Sequence, residues 1–361
     1  MRAQPVAQWE AVGHAGFSAG RATYISTAFG PDGKPYIAYR DEANLNKATV
    51  MRWSPADLAW KSVGSSGFSE GQAFETSLAF SKKGQPHVAF ADAANEGKIT
   101  VLRFSRGSWQ TVGTAGFSEQ SPKFLSLAFA ADDRPYVAYQ DGVAGKVAVM
   151  RLNKAGTAWE VAGASGPSVG AALYPCLTFG PDGKPYVAFM DPTHSGKATV
   201  VRLNGDTWEN VATSGFSAGI AGVFSLRFSP DGDLYVAFSD GSLGGKITVM
   251  RLPRTRQVWE LVGSAGFTMG QAAAGSMAFG PDAMPYLAYA GVGGADKADV
   301  MRFDKKTNAW ESLGPSNLPA RGIYNITLNF GPDGRPYVTY SDAAHSEKAT
   351  MIRTKQAVPR R

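Results

Sequence analysis

Tryptophan recurs along this chain at intervals of 49 to 51 residues, and seven of its eight tryptophans keep that spacing. The seven are Trp9, Trp60, Trp109, Trp159, Trp208, Trp259 and Trp310. A period near 50 is longer than the units of leucine-rich, ankyrin and tetratricopeptide repeats. Because repeated units can share one continuous core, the sequence predicts one large domain over residues 1–361.

Each period contains the same segments in the same order. A "WExVG" run is followed by "GFSxG", "SLAF", a Pro-Asp-Gly turn, "PYVAYxD", a glycine-rich loop and "KATVMR". Proline presets the backbone of the turn, aspartate bonds back to it, and glycine accepts a positive φ. Four short β-rich runs per period fit the blade of a β-propeller. We therefore predict an all-β, seven-bladed β-propeller with four antiparallel strands per blade.

The two ends of the chain complement each other. In four blades the tryptophan follows the arginine of "KATVMR" by eight residues, and the sequence stops eight residues after Arg353. The last copy therefore lacks a fourth strand, whereas "WEAVG" near the N-terminus has no blade before it. We predict that residues 8–13 pair with the C-terminal blade and close the ring, which also removes two exposed sheet edges.

Most of the net charge of +6 lies in repeated positions. The lysine column contains Lys47, Lys98, Lys146, Lys197, Lys246, Lys297 and Lys348. The arginine column contains Arg52, Arg103, Arg151, Arg202, Arg251, Arg302 and Arg353. The aspartate column contains Asp41, Asp92, Asp141, Asp191, Asp240 and Asp342, with Gly291 in the sixth copy. Basic charge spread evenly around a ring forms no directional stripe, which argues against a nucleic-acid partner.

These columns allow two interpretations. The aspartate ends the second strand and the lysine begins the third, so we predict an ion pair and hydrogen-bond clamp within each blade. The arginine would stack on the nearby tryptophan or meet an acid. The alternative is seven equivalent pockets between blades, each holding a sugar or an anion.

Candidate binding residues come from the two sets of loops that open on one face of a propeller. These are the "GFSxG" segments before the first strands and the loops between second and third strands, which hold most of the variation. The candidates are Arg21, Tyr24, Arg40, Glu42, Tyr174, His194, Arg321, Tyr324 and His345.

Three further positions depart from their repeat columns. Arg227 replaces a small residue of the innermost strand, and we favour a side chain that reaches solvent at the lower rim over one that points into the central channel. Cys176 replaces serine and is interpreted as structural filler. His87 replaces tyrosine and is interpreted as a core substitution.

Other chemistry finds little support in the sequence. The four histidines have no metal-ligand spacing, and there is no nucleophile elbow, phosphate loop or dinucleotide fingerprint. We therefore predict neither a metal nor a cofactor. No apolar run is long enough to span a membrane, the first residues lack the apolar stretch of a signal peptide, and one cysteine cannot form an internal disulfide.

The repeat resembles a β-propeller repeat found in bacterial secreted and surface proteins. The resemblance rests on "W-x-x-V-G-x-x-G-F-S", "P-Y-V-A-Y-x-D" and "G-K-A-T-V-M-R" and covers residues 8–353. It implies the propeller fold and an extracellular or surface location. It does not select a function, because propellers include lectins, scaffolds, hydrolases and lyases.

From this we predict a monomeric, non-catalytic module that binds a glycan or a protein through its loop-rich face. One alternative is a polysaccharide lyase or glycoside hydrolase with its site at the axial mouth. The other is a structural scaffold with no small ligand.

Overall fold

The computed structural model describes residues 7–142, 145–292, 298–314, 318, 323 and 325–358. Within these residues the backbone forms seven four-stranded antiparallel sheets. First strands of successive sheets contact one another, as do those of the first and last blades, so the sheets form a ring around a central channel. The protein is a seven-bladed β-propeller, as the repeat predicts.

The strands follow the repeat closely. Blade one has β2 (Ala22–Phe29), β3 (Pro35–Asp41), β4 (Lys47–Ser54) and β5 (Ala59–Ser62). Blade two has β6 (Ala73–Phe80), β7 (Pro86–Asp92), β8 (Lys98–Ser105) and β9 (Ser108–Thr111). Blade three has β10 (Lys123–Phe129), β11 (Pro135–Gln140), β12 (Val147–Leu152) and β13 (Trp159–Val161). Blade four has β14 (Leu173–Phe179), β15 (Pro185–Asp191), β16 (Lys197–Asn204) and β17 (Thr207–Asn210).

The remaining blades continue the pattern. Blade five has β18 (Ala221–Phe228), β19 (Leu234–Asp240), β20 (Lys246–Leu252) and β21 (Glu260–Leu261). Blade six has β22 (Ala272–Phe279), β23 (Pro285–Gly291), β24 (Asp299–Asp304) and β25 (Ala309–Ser312). Blade seven has β26 (Ile326–Phe330), β27 (Pro336–Asp342), β28 (Lys348–Thr354) and, from the N-terminus, β1 (Trp9–Ala11). Short 3-10 helices follow five second strands: Glu42–Asn44, Ala93–Asn95, Pro192–His194, Gly241–Leu243 and Ala343–His345.

The ring closes through the N-terminal strand. β1 pairs antiparallel with β28, with Trp9 opposite Thr354. The amide of Val12 continues the ladder by donating to the Met351 carbonyl at 2.8 Å. The predicted closure is confirmed, with the strand itself confined to residues 9–11.

The repeated tryptophan joins neighbouring blades, which accounts for its period. Trp60 Nε1 donates to the Val12 carbonyl at 2.8 Å, and its ring stacks on Phe17 with centroids 4.2 Å apart. Val12 and Phe17 belong to the segment that enters blade one. The same indole bond recurs at Trp109, Trp159, Trp208 and Trp310. Each of these five tryptophans therefore fixes its blade to the preceding linker.

The Pro-Asp-Gly turn lies on the lower face, where first strands turn into second strands. Gly33 has φ +70°, and the Lys34 amide donates to Asp32 Oδ1 at 3.2 Å. Asp32 Oδ2 also accepts from Tyr36, at 3.3 Å. The predicted turn roles of aspartate and glycine are confirmed.

Six of the seven arginines of the repeated column meet acids on this lower face, and none of the seven stacks on tryptophan. Arg302 lies 2.8 Å from Asp282 of its own turn, and Arg353 lies 2.8 Å from Glu10. Equivalent ion pairs form at Arg52, Arg151, Arg202 and Arg251. The rings closest to Arg302 and Arg353 are those of Tyr286 and Tyr337. The acid alternative for this column is the correct one.

Both faces of each second strand are buried. In β3 the five residues from Pro35 to Tyr39 are all buried, and Ile37 and Ala38 have no exposed surface. Ile37 belongs to a core shared with blade seven, whereas Ala38 packs with residues of blade two. The alternating side chains thus fill two inter-blade cores, so neither face of the strand is polar.

Among the described residues, no helix has the length and apolar character needed to span a membrane.

Candidate functional site

The aspartate column is structural. Asp41 is 1% exposed and caps the 3-10 helix that follows β3. Its carboxylate accepts from the Ala43 amide at 3.2 Å, from Asn44 Nδ2 at 2.8 Å and from Thr49 Oγ1 at 2.9 Å. These three donors, which belong to the loop and to β4, engage both oxygens of the carboxylate. The hydrogen-bond part of the predicted clamp is confirmed.

The ion-pair part of that clamp is wrong. Asp41 and Lys47 are register partners at the ends of β3 and β4, yet no ion pair joins aspartate and lysine in the five described loops that carry a 3-10 helix. The reason is competition, because the carboxylate turns inward onto the loop amide and the threonine hydroxyl. The same saturation disfavours seven sugar pockets built on these aspartates.

The candidate histidines belong to these caps. His194 Nδ1 lies 2.8 Å from Asp191 Oδ2, and His345 Nδ1 lies 2.9 Å from Asp342 Oδ2. Asn44 makes the equivalent bond to its aspartate in blade one. His194 and His345 therefore replace an asparagine as a cap on the upper face, which is the face of the 3-10 helices and inter-blade linkers.

One other candidate, Arg21, connects two blades on this face. Arg21 forms an ion pair with Glu347 of blade seven, and its carbonyl accepts from the Glu42 amide at 3.2 Å. Arg321 and Tyr324 lie outside the described residues.

The axial mouth, where first strands begin on the upper face, is distorted in four consecutive blades. Tyr24, Glu75, Phe124 and Tyr174 have φ between +51° and +56°, each next to a shift of strand register. Positive φ is unusual for any residue with a side chain, and strongly so for a bulky one. Each such residue costs on the order of 1–3 kcal/mol, and strain of this kind clusters at functional sites.

Aromatic side chains follow this distorted part of the mouth. Tyr24 meets Phe74 with centroids 6.1 Å apart, and Phe124 meets Tyr174 at 4.5 Å. We call these four residues the aromatic arc. Arg40 lies over Phe74 at 4.3 Å and donates to Gln72 at 3.4 Å. The structure thus brings the candidates Tyr24 and Arg40 of blade one and Tyr174 of blade four to the mouth.

A carboxyl group lies beside the arc. Glu75 Oε2 accepts from the Phe124 amide at 3.1 Å, and burial raises the pKa of Glu75 while the amides of Phe124 and Leu125 oppose that rise. A carboxyl with a raised pKa makes the folded state less stable as the pH rises from the unfolded value through the folded one.

Glu75→Gln is therefore expected to be more stable than the wild type at pH 7.5 and to lose that advantage near pH 4. The amide oxygen of glutamine still accepts from Phe124, so only the charge is removed. Melting temperatures at the two pH values test this. A wild type that is the more stable protein at pH 7.5 would contradict it.

Below the mouth, the channel holds a cavity of about 390 Å³. Phe124 and Tyr174 line its upper part, and small hydroxyl residues line the middle. Several of these hydroxyls connect first strands: Ser26 accepts from the Leu78 amide at 2.9 Å, and Ser77, Ser126 and Ser276 do the same for the next blade. The serine column thus holds the inner ring together.

Arg227 lines this same cavity. The ring of first strands encloses its side chain, which is exposed to the channel, and Nη1 donates to the Leu226 carbonyl at 2.9 Å. The expectation that it reaches solvent at the lower rim gives way to the channel-facing alternative. The reason is the small residues at the equivalent position of four other blades, which leave room for a long side chain: Ala28, Ala79, Ala128 and Ala278.

Cys176 stands in the serine column beside Arg227. Burial raises the pKa of its thiol to about 11, although the Arg227 cation acts in the opposite direction. The thiol is therefore protonated at neutral pH, as expected of structural filler.

A second, open groove of about 660 Å³ lies on the lower face of blade five. Two of its three arginines are already matched by an acid: Arg251 and Arg256 both pair with Glu260, at 3.0 and 2.7 Å. Asp231 and Asp233 add further negative charge. Nothing distorts the backbone there as it does at the mouth, so the mouth is the stronger candidate. Among the described residues no cluster of three or more histidine, cysteine or acidic side chains could hold a metal ion.

Sequence reasoning missed Phe74, Glu75 and Phe124. Counting back two residues from the serine column places Tyr24, Glu75, Phe124 and Tyr174 in one column, which marks an irregular position on an otherwise uniform strand. That alignment was the available signal.

Neither a protein-family model nor a curated protein sequence matches this chain. Solved structures do match its fold. A lectin from Burkholderia pseudomallei aligns over 94% of this chain and 98% of its own, with 16% identity and a TM-score of 0.66. An ulvan lyase from a new family of polysaccharide lyases aligns over 95% of each chain, with 10% identity and a TM-score of 0.60. A Dyadobacter fermentans protein of unknown function aligns over 98% of this chain and 100% of its own, with 15% identity and a TM-score of 0.55. At these identities the likeness shows the fold alone.

Proposed function

We propose that this propeller is a carbohydrate-binding module whose site is the axial mouth of its loop-rich upper face. The observation that carries the proposal is the aromatic arc, held by four consecutive backbone distortions. Aromatic faces pack on the apolar face of a sugar ring, and Arg40 and Glu75 supply a cation and an acceptor for its hydroxyls. The cavity beneath the arc gives the ligand depth.

The proposed site is single and asymmetric. Blades one to four contribute aromatic and charged groups, whereas blade six places Ala273 and Ala274 at the equivalent positions. The repeated aspartates are engaged by their own loops. We therefore expect one glycan per chain instead of one per blade.

A broad glycan array with free-sugar competition is the first test, followed by calorimetric titration of any hit. The double variant Tyr24→Ala/Tyr174→Ala is expected to bind about 10- to 100-fold more weakly, because each stacking contact contributes about 1 kcal/mol. The titration also gives the number of ligands per chain.

The matched control is His194→Asn/His345→Asn, which changes two candidates on the same face to the residue found in blades one and two. We expect its affinity to equal that of the wild type. A double tyrosine variant that folds and binds normally would remove the arc from the site. An array without a competable hit would instead favour a protein partner or a scaffold.

One observation favours a polysaccharide-active enzyme as the second candidate. Glu75 is a half-buried carboxyl with a raised pKa at the mouth, a property suited to proton transfer. Incubation with each glycan hit, followed by analysis for shortened or unsaturated products, separates the two functions. An enzyme would release products and lose turnover in Glu75→Gln while retaining binding; a lectin would release none.

A further inference from the structure

The channel cavity is lined by hydrogen-bond donors and by a positive charge that no carboxylate of the described lining balances. Among the described residues that line it there is one charged side chain, Arg227, and no aspartate or glutamate. The hydroxyls of Ser26, Ser77 and Ser126 use a lone pair to accept backbone amides, so their protons can point into the channel. The wall therefore offers hydrogen-bond donors and positive charge, which suits an anion.

The residues that create this character are departures from the repeat. Arg227 stands in a column that is alanine in four blades, and Asn329 replaces the same alanine in blade seven. Asn329 also lines the cavity, with Nδ2 donating to the Thr27 carbonyl at 3.3 Å. Two donors thus replace methyl groups at one level of one channel. Alanine already satisfies packing at this level in four blades. Packing therefore does not explain why Arg227 or Asn329 replaces it.

No carboxylate among the described residues compensates the charge of Arg227. Enclosure in the channel wall lowers the pKa of its guanidinium, and the Cys176 thiol opposes that effect. Such a residue is explained if a ligand supplies the missing negative charge.

We propose that the channel cavity binds the oxyanion group of an acidic sugar, a carboxylate or a sulfate ester, with Arg227 as its counter-ion. This names the ligand class of the mouth site and rests on the proposed function. Phe124 and Tyr174 line the same cavity as Arg227, so one ligand can touch both. Arg227 lies four residues along the strand from the bulge column, about 13 Å at 3.3 Å per residue. A cavity of about 390 Å³ is within the range of small-molecule sites.

The test titrates the full chain with glucuronate, glucose 6-sulfate and neutral glucose, and with inorganic sulfate as the bare oxyanion. We expect at least one acidic sugar to bind tenfold or more tightly than glucose. Arg227→Ala should erase that difference, and Arg227→Lys should keep part of it. Arg106→Ala, which removes an exposed charge from a turn between β8 and β9, is the matched control and should change nothing.

Arg227→Ala is not expected to impair folding, because four other blades have alanine at the equivalent position. Arg227→Ala should melt at or above the wild-type temperature. Equal affinity of the wild type for glucuronate, glucose 6-sulfate and glucose would overturn the inference and leave the glycan proposal standing. If no sugar binds but inorganic sulfate raises the melting temperature of the wild type and not of Arg227→Ala, the anion site stands and its assignment to an acidic sugar fails. If none of the probes acts, the anion inference fails, and the glycan array alone decides the proposed function.

Discussion

Deleting residues 1–13 is expected to abolish cooperative folding of the propeller at 37 °C. The deletion removes β1, the buried Trp9 and the buried Val12, which are 6% and 2% exposed. Truncating a buried tryptophan alone costs about 3–5 kcal/mol, against a total stability of about 5–15 kcal/mol for a typical protein. The outer edge of β28 would also lose its ladder partners and become a site of aggregation.

The reason for so large an effect is that closure engages both neighbours of the strand. Trp9 packs in the core between blades six and seven, with Tyr286 and Ile352. Val12 packs in the core between blades seven and one, and its carbonyl accepts the indole of Trp60. Losing β1 therefore weakens two inter-blade junctions together with one sheet.

Urea denaturation followed by circular dichroism measures the effect. The control is a relocated strand: residues 9–13 are moved to follow residue 360, so that their tryptophan lies eight residues after Arg353, as in four other blades. We expect relocation to restore a cooperative transition, because the last blade then contains four consecutive strands. A deletion variant that unfolds at the wild-type urea concentration would show that β1 contributes little to closure.

The sequence predicts the architecture well because the repeat records the contacts that all blades share. The tryptophan period reflects the indole bond between blade and linker, and the Arg353 spacing locates the incomplete blade. Both features reflect backbone and packing requirements that recur in several blades, so a single sequence is enough to detect them.

The mouth and the clamp were harder to predict, for a physical reason in each case. The ends of the strands correctly place Asp41 opposite Lys47. The donors that bind the Asp41 carboxylate, however, are set by the positions of the loop amides, and the repeat pattern does not predict those positions. Similarly, Tyr24 and Glu75 meet the mouth because a register shift turns them there. A two-residue alternation predicts neither the shift nor its positive φ.

Lowering the pH from 7 to 4 is expected to cost this protein about 3 kcal/mol through His87 alone. His87 is 5% exposed, its ring meets the edge of Phe129 at 4.8 Å, and Nδ1 donates to the Gln85 carbonyl at 3.0 Å. Burial lowers the pKa of His87 to about 4, with the Arg103 cation adding to that effect and the Gln85 carbonyl opposing it. An unfolded histidine has a pKa of about 6.5.

The sign follows from these two values. Below pH 6.5 the unfolded chain takes up a proton at this histidine and the folded chain does not, so stability falls as the pH falls until the folded pKa near 4 is reached. A difference of about 2.5 pKa units corresponds to about 3 kcal/mol. The contribution of the neutral ring is complete above pH 6.5.

The matched variant comes from the other blades. Blade two has Lys83 where blade one has Asp32, and His87 where blade one has Tyr36, so it lacks both the turn carboxylate and the phenol that bonds to it. The double variant Lys83→Asp/His87→Tyr restores this pair. Carboxylates also titrate below pH 5, so the quantity to compare is the difference in unfolding free energy between variant and wild type at pH 7.5, 5.5 and 4.0. We expect this difference to grow in favour of the variant as the pH falls. Parallel stability curves would show that His87 takes up its proton without a cost to the fold.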